Sequence, residues 1–127
     1  MKTIAAIQAR LGSTRLPNKV LADLGGLPMV FQIARRLEAS DAIDEVIIAT
    51  TTAPSDAPLV EACQARGIGV HRGAVDDLVA RLYGAACAFE ADVLVRVWGD
   101  CPCVDPEVVT QTVAALKGGE KLFASTM

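Results

Sequence analysis

Hydrophobic positions along the chain fall into two patterns that alternate. Short, nearly continuous apolar runs are typical of strands covered on both faces. They occur at residues 3–9, 45–51 and 92–100, with a weaker run at 69–73. Segments whose apolar residues recur with a helical period follow these runs, at 28–40, 56–66, 76–89 and 105–117. The predicted element order is therefore β-α-β-α-β-α-β-α.

Residues with known preferences for helix ends stand at the predicted boundaries. Pro28 fits the first helical position, and Ser55 or Asp56 can cap the second helix. Gly67 can end that helix, and Asp105 is suited to cap the last one.

Strands that alternate with helices of this length imply a mostly parallel sheet, which binds ligands at the carboxyl ends of its strands. The 127 residues fit one domain, and we expect no internal boundary. The last segment, 121–127, resembles the beginning of a strand with no completed unit after it. We therefore expect the first half of a longer α/β fold.

Composition narrows the class of protein. Hydrophobic residues make up 52 % of the chain and aromatics only 4 %, which favours a core of Ala, Val, Leu and Ile and argues against disorder. The net charge of −3 disfavours a general nucleic-acid-binding surface, and no apolar run is long enough to span a membrane. We expect a cytoplasmic protein that binds neither nucleic acid nor membrane.

The four cysteines have neither CxxC nor paired metal-knuckle spacing. In a cytosolic protein they stay reduced. For Cys101 and Cys103 we favour small core residues over a metal or redox site.

Charge is distributed unevenly, because the first 22 residues hold four cations and no acid. Arg10 and Lys19 lie in a loop that follows the first strand directly, where ligands bind in such sheets. Gly12 allows close approach of the backbone to a phosphate, although a solvated basic loop is an equal alternative. The loop matches neither a Walker A motif nor a dinucleotide fingerprint.

Two further segments carry chemically interesting residues. Asp100 ends the last predicted strand and can either hold Mg²⁺ together with substrate phosphates or cap the following turn. Asp77 and Arg81 are four residues apart on a helix and can form a surface ion pair or contact a ligand. For His71, the only histidine, we favour packing over general-base chemistry.

Four segments together resemble a known family. The segments "IQARLGSTRLPNKVLADLGGLPMV", "IIATTTAPSD", "HRGAVDDLVARLYGAA" and "VRVWGDCPCVDPEVV" occur in the order and spacing of the spore coat polysaccharide biosynthesis protein F family. That family in turn is similar to the cytidylyltransferases that activate acylneuraminate and 3-deoxy-manno-octulosonate. The resemblance covers nearly the whole chain.

The resemblance implies a Rossmann-like three-layer sandwich of the nucleotide-diphosphosugar transferase type, with residues 1–127 as its nucleotide-binding part. It also implies transfer of CMP from CTP to a sugar acid or related sugar, with Mg²⁺ as cofactor, in surface polysaccharide biosynthesis. By position, Arg10 and Lys19 would hold the triphosphate as catalytic residues and Asp100 would bind the metal. The residues that would border the nucleotide are Ala9, Leu11, Gly12, Ser13, Arg15, Asp77 and Arg81.

This sequence departs from the family pattern in places, and alternatives stay open. Asn18 stands where a glycine is usual, Trp98 replaces a small polar residue, and Cys103 replaces an aliphatic one. The family also continues for roughly as much chain again. A glycosyltransferase, another nucleotidyltransferase on the same scaffold, and a truncated non-catalytic module that self-associates are the alternatives. We expect a homodimer.

Overall fold

The computed structural model describes residues 2–12, 19–99 and 103–118. All eight predicted elements are confirmed, and each lies within its predicted segment. The main-sheet strands are β1 (Thr3–Gln8), β4 (Glu45–Thr51), β5 (Gly69–Gly73) and β6 (Val93–Trp98). The helices are α1 (Met29–Glu38), α2 (Ala57–Ala65), α3 (Leu78–Ala88) and α4 (Pro106–Lys117). The predicted strand beginning at 121–127 lies outside the described residues.

The sequence patterns did not predict a small antiparallel hairpin between β1 and α1. It consists of β2 (Asp23–Leu24) and β3 (Leu27–Pro28). Gly25 and Gly26, which form its turn, have positive φ angles of 68° and 92°, as a two-residue hairpin turn of type I′ requires. This hairpin corrects the prediction for Pro28, which lies in β3 immediately before α1 rather than in the first helical position.

The four main strands form a parallel sheet in the order β5-β4-β1-β6. From β1 the chain adds β4 and β5 on one side and then places β6 on the other side. The direction of strand addition therefore reverses at β1, and ligands bind at such a switch point in open α/β sheets.

Helices cover both faces of the sheet, which gives the predicted three layers. On one face Ile7 and Ile48 are fully buried against α1, α2 and α4, which contribute residues such as Ile33, Leu59 and Val113. On the other face, a smaller cluster packs the alternate strand residues against α3; its fully buried members are Ile4, Ala6, Ile47, Ala49 and Ala85. The mostly parallel α/β fold is thus confirmed.

Two other predicted helix ends agree with the structure, whereas the predicted side-chain cap of α2 does not. Gly67 follows α2 with a φ of 71°, and the Asp105 carboxylate accepts a hydrogen bond from the Glu107 backbone N–H at 2.9 Å. Asp56 precedes α2 but makes no side-chain cap, because its carboxylate faces the loop after β1. Within the described ranges, no helix is both long enough and apolar enough to cross a membrane.

Candidate functional site

Two cavities flank the carboxyl end of β1, and both are lined by Gln8, Ala9 and Arg10. The larger, of about 230 Å³, lies towards β5 and α3 and is also lined by Val75, Asp76, Leu78 and Arg81. The smaller, of about 140 Å³, lies towards β6 and is also lined by Lys19, Val20, Trp98 and Gly99. Arg10 therefore stands between the two cavities at the switch point of the sheet.

A more voluminous surface groove of about 500 Å³ lies away from this edge, between α1 and the start of α4. Arg35 and Arg36 line it, but none of the predicted site residues does. Its size alone does not connect it to the chemistry predicted for the loop after β1.

Backbone and side-chain hydrogen bonds hold the beginning of the loop after β1. The Ala9 N–H donates to the Ala49 carbonyl at 3.2 Å, and the Leu11 N–H donates to Asp56 Oδ1 at 2.7 Å. Ala9 and Leu11 are both buried, whereas Arg10 between them is exposed. Anchoring the residues on either side fixes the direction in which the Arg10 side chain leaves the backbone.

Asp56 is the central residue of the hydrogen bonds that anchor this loop, a role that sequence reasoning missed. Its side chain is 1 % exposed, and its second oxygen accepts a hydrogen bond from the Thr51 hydroxyl. Thr51 Oγ1 in turn accepts from the Ala53 N–H at 3.1 Å. The ends of β1 and β4 are thus joined through one buried carboxylate.

The end of β6 approaches β1 closely because residue 99 is glycine. The Gly99 N–H donates to the Gln8 carbonyl at 2.8 Å. A Cβ atom at position 99 would lie 2.6 Å from that same oxygen, closer than atoms can approach, and 3.1 Å from the Ala9 Cβ, which is a tight contact. Gly99 therefore lets the segment that leads to Asp100 start beside the basic loop.

Arg81 is the most unusual side chain of the site. It belongs to α3, lines the larger cavity and is only 4 % exposed, yet its buried Nε and Nη1 have no hydrogen-bond partner among the described residues. Burial lowers the pKa of the guanidinium from its ordinary value, and the nearby charge of Arg10 lowers it further, against an opposing effect of Asp56. Two buried donors of a cation that lack acceptors are costly unless something supplies those acceptors.

Gly73 at the end of β5 makes room for this arrangement. A Cβ atom there would lie 2.8 Å from the Arg81 Cγ and 3.0 Å from the Arg81 Cα, so the backbone of α3 would have to move. Arg72, beside it, is structural, because its Nε and Nη2 donate to the Thr51 and Ala53 carbonyls at 2.8 and 2.9 Å. His71 packs against α3, where a Cβ at Gly84 would lie 2.8 Å from its Nε2, as the preference for packing predicted.

Asp77 and Arg81 do not form the surface ion pair that their spacing also allowed. The exposed Asp77 instead caps α3, accepting a hydrogen bond from the Ala80 N–H at 2.9 Å. Its neighbour Asp76 lines the larger cavity with Arg81.

Asp100, predicted to bind Mg²⁺, lies outside the described residues, as do Ser13 and Arg15. In the described ranges, no group of three or more His, Cys, Asp and Glu side chains is arranged to hold a metal ion. Mg²⁺ characteristically takes only one or two carboxylates when phosphates and water complete its shell, so a lone carboxylate after Gly99 fits this cation.

A sequence model of the cytidylyltransferases matches residues 4–126. The chain belongs to the cytidylyltransferase family. The resemblance stated from the sequence is thereby confirmed at the level of this family.

Relatives and solved structures agree with this assignment. A 3-deoxy-manno-octulosonate cytidylyltransferase from Acidovorax sp. is 42 % identical over 116 residues, covering 87 % of this chain and 42 % of the relative. A cytidylyltransferase structure from Leptospira borgpetersenii superposes with a TM-score of 0.87 at 33 % identity, over 94 % of this chain and 50 % of that one. The structure of CMP:2-keto-3-deoxy-manno-octonic acid synthetase complexed with CTP gives 0.83 at 29 % identity, over 96 % and 50 %. The chain spans about half the length of the relatives it matches.

Of the site residues predicted for this cytidylyltransferase-family chain, the structure brings four together around the two cavities: Ala9, Arg10, Lys19 and Arg81. Leu11 and Gly12 continue the same loop, and Asp77 stands at the start of α3. Gln8 and Trp98 were not among the predicted site residues, although both lie close to the carboxyl end of a predicted strand and thus carried a positional signal.

Proposed function

We propose that this chain binds CTP at the carboxyl end of β1 and transfers CMP from it to a sugar acid or related sugar, with release of pyrophosphate. Membership of the cytidylyltransferase family supports the reaction class. Because the chain spans about half the length of its relatives, the complete reaction and its acceptor belong to the proposal. So do its place in surface polysaccharide biosynthesis, its cytoplasmic location, and its grouping with the spore coat polysaccharide biosynthesis protein F proteins.

The observation that carries the proposal is the buried Arg81 in the larger cavity. A guanidinium can pair with two neighbouring acceptors through either of two edges, and each edge of Arg81 contains one of the N–H groups that have no partner among the described residues. Cytosine presents O2 and the unprotonated N3 as adjacent acceptors, whereas uracil carries a hydrogen on N3 that faces any donor. Arg81 is therefore matched to the cytosine base and mismatched to uracil.

Arg10 and Lys19 are the groups that we assign to the phosphates. Both line the smaller cavity, and Arg10 also reaches the larger one, as expected of a cation between the nucleoside and the reacting phosphorus. An acceptor oxygen attacks the α-phosphorus, the bond to the bridging oxygen breaks, and pyrophosphate leaves with the bonding electron pair while the acceptor loses its proton. Fixed cations stabilise the negative charge that develops on the leaving oxygens.

The nucleotide-binding role extends by position to Ser13 and Arg15, and the metal role to Asp100. Mg²⁺ bound at this carboxylate would neutralise phosphate charge and act as a Lewis acid. Asp77 is the weakest of the proposed nucleotide contacts, since its carboxylate already caps α3.

A thermal-unfolding titration with each of the four nucleoside triphosphates and Mg²⁺ tests the proposal. At about 100 times its dissociation constant, CTP should stabilise the wild type by ~2.7 kcal/mol, and the other nucleotides should do so less. Lys19→Ala and Asp100→Ala should lose much of the effect, whereas Arg35→Ala, an exposed arginine away from the site, should keep it. Equal stabilisation by UTP or GTP would favour another nucleotidyltransferase or a glycosyltransferase, and no stabilisation by any nucleotide would reject the site.

A non-catalytic, self-associating module is the second candidate. It is favoured by the position of β6 at the edge of the sheet that the described residues form, because an edge strand offers unpaired backbone groups to another copy. Sedimentation tests this candidate and the expected homodimer: dimers that do not bind CTP would favour the module, and a monomer that binds CTP would exclude it.

A further inference from the structure

Trp98 is exposed beside the reacting groups of the proposed function. It is the only tryptophan of the chain, and 54 % of its surface is accessible. It lines the smaller cavity together with Arg10 and Lys19. Ligand pockets are typically lined by aromatic side chains together with a few polar groups.

Neighbouring side chains fix the orientation of the indole. The Arg96 guanidinium lies over the ring, with its Cζ 4.9 Å from the ring centroid. Arg96 Nε donates a hydrogen bond to Gln8 Oε1 at 2.9 Å, and Gln8 is the residue opposite Trp98 in the β1–β6 register. Since the guanidinium occupies one face, the ring is held as a preformed surface with its other face available.

The two cavities lie on opposite sides of the end of β1, so they suit different parts of the two substrates. Arg81, whose unpartnered N–H groups call for the acceptor edge of a base, lies in the larger cavity on the β5 side of β1. Trp98 lies on the β6 side, in the cavity with the phosphate-binding cations. If the base of the nucleotide occupies the larger cavity, its phosphates reach Arg10. The space beside Trp98 is then free for the acceptor, the molecule that receives CMP.

We propose that Trp98 is the stacking platform for the acceptor sugar ring and a determinant of acceptor specificity. This inference rests on the proposed function and assigns a residue to its second substrate. The C–H groups on one face of a pyranose carry partial positive charge and pack against the negative face of an indole. The nearby cations favour an acceptor that also bears a carboxylate.

The alternative occupant of the indole face is the cytosine base. The smaller cavity is the less suitable for it, because Arg81 with its buried donors lines the other one. Stacking of a base would make CTP binding depend on Trp98, and that dependence can be measured separately.

The experiment uses a CTP analogue with a methylene group between the α- and β-phosphorus, so that no transfer occurs. Calorimetry with Mg²⁺ first measures binding of this analogue to the wild type. Three probes, 3-deoxy-manno-octulosonate, N-acetylneuraminate and glucose, are then titrated into the saturated protein. Because Trp98 is the only tryptophan, its fluorescence reports contact with the probe directly.

We expect at least one sugar acid to change the emission. In calorimetry Trp98→Ala should weaken binding of that sugar acid by about tenfold, as expected for loss of one stacked ring, while Trp98→Phe retains most of the affinity. Analogue binding should be unchanged in both variants. Tyr83→Ala, which removes an exposed aromatic from α3, should change neither.

Two results would overturn the assignment while leaving the proposed function intact. In one, the analogue binds but no probe changes the tryptophan emission. In the other, Trp98→Ala weakens binding of the analogue as much as binding of the sugar acid. Absence of analogue binding to the wild type would instead remove the proposed function, and the role of Trp98 with it.

Discussion

Replacing Arg81 with methionine should stabilise the ligand-free chain, although Arg81 is among its most buried residues. The Nε and Nη1 groups are buried and unpartnered in the described part of the chain. Each buried donor without a partner costs about 1–3 kcal/mol, so removing two of them gains roughly 2–6 kcal/mol. Methionine keeps an unbranched apolar stem of similar length and therefore retains most of the packing.

Two effects reduce this gain. The carboxylate of Asp56 attracts the guanidinium, and the larger cavity, which Arg81 lines, has a volume that can hold water. We therefore expect the free energy of unfolding to rise by about 2 kcal/mol in Arg81→Met, with an increase of several degrees in Tm.

Urea denaturation of wild type and variant without nucleotide measures the difference. Arg35→Met is the matched control, because it removes an exposed guanidinium and should change stability by less than about 0.5 kcal/mol. A loss of stability in Arg81→Met would refute the reasoning, since it would show that the guanidinium is paired within the folded chain and not waiting for a ligand.

Three further substitutions test other parts of the site and core by the same assay. Asp56→Ala leaves the buried Leu11 N–H without its acceptor and should cost about 2–3 kcal/mol; an unchanged stability would mean that the loop after β1 is not anchored there. Gly99→Ala places a Cβ 2.6 Å from the Gln8 carbonyl and should weaken both stability and CTP binding, whereas wild-type behaviour would show that the end of β6 can shift freely. Burial raises the pKa of the Cys63 thiol from 9.0 to about 11. The protonated thiol therefore contributes about 2–3 kcal/mol to the free energy of unfolding below pH 9, and this contribution is lost between pH 9 and 11. Cys63→Ala should remove that part of the alkaline loss while Cys87→Ala, at an exposed position, keeps it; equal pH profiles for the two variants would contradict the assignment.

The main elements could be predicted because their signals are periodic and local. Apolar runs such as 45–51 and the helical spacing of 28–40 repeat the same pattern over many residues. The β2–β3 hairpin could not be predicted this way, because two-residue strands are too short to show alternation. Only Gly25 and Gly26 marked its turn, and without strand patterns beside them they did not identify a hairpin.

The sequence predicted where the site lies better than it predicted which side chains contact one another there. Arg10 and Lys19 stood out because they follow a strand in a segment without acids. The burial of Arg81 had no such signal, since its spacing from Asp77 equally fits a surface ion pair. The anchor formed by Asp56 joins residues 45 positions apart and depends on the packing of two loops, which a single sequence does not reveal.

The most direct test of the central claim is the ratio of the dissociation constants of CTP and UTP, measured by calorimetry in the presence of Mg²⁺. If Arg81 pairs with O2 and N3 of cytosine, the wild type should bind CTP at least about tenfold more tightly than UTP, because UTP leaves a buried donor facing a donor. Arg81→Met should reduce this ratio to near unity. Equal affinities in the wild type, or a ratio that survives Arg81→Met, would contradict the claim that this cavity recognises the cytosine base through Arg81.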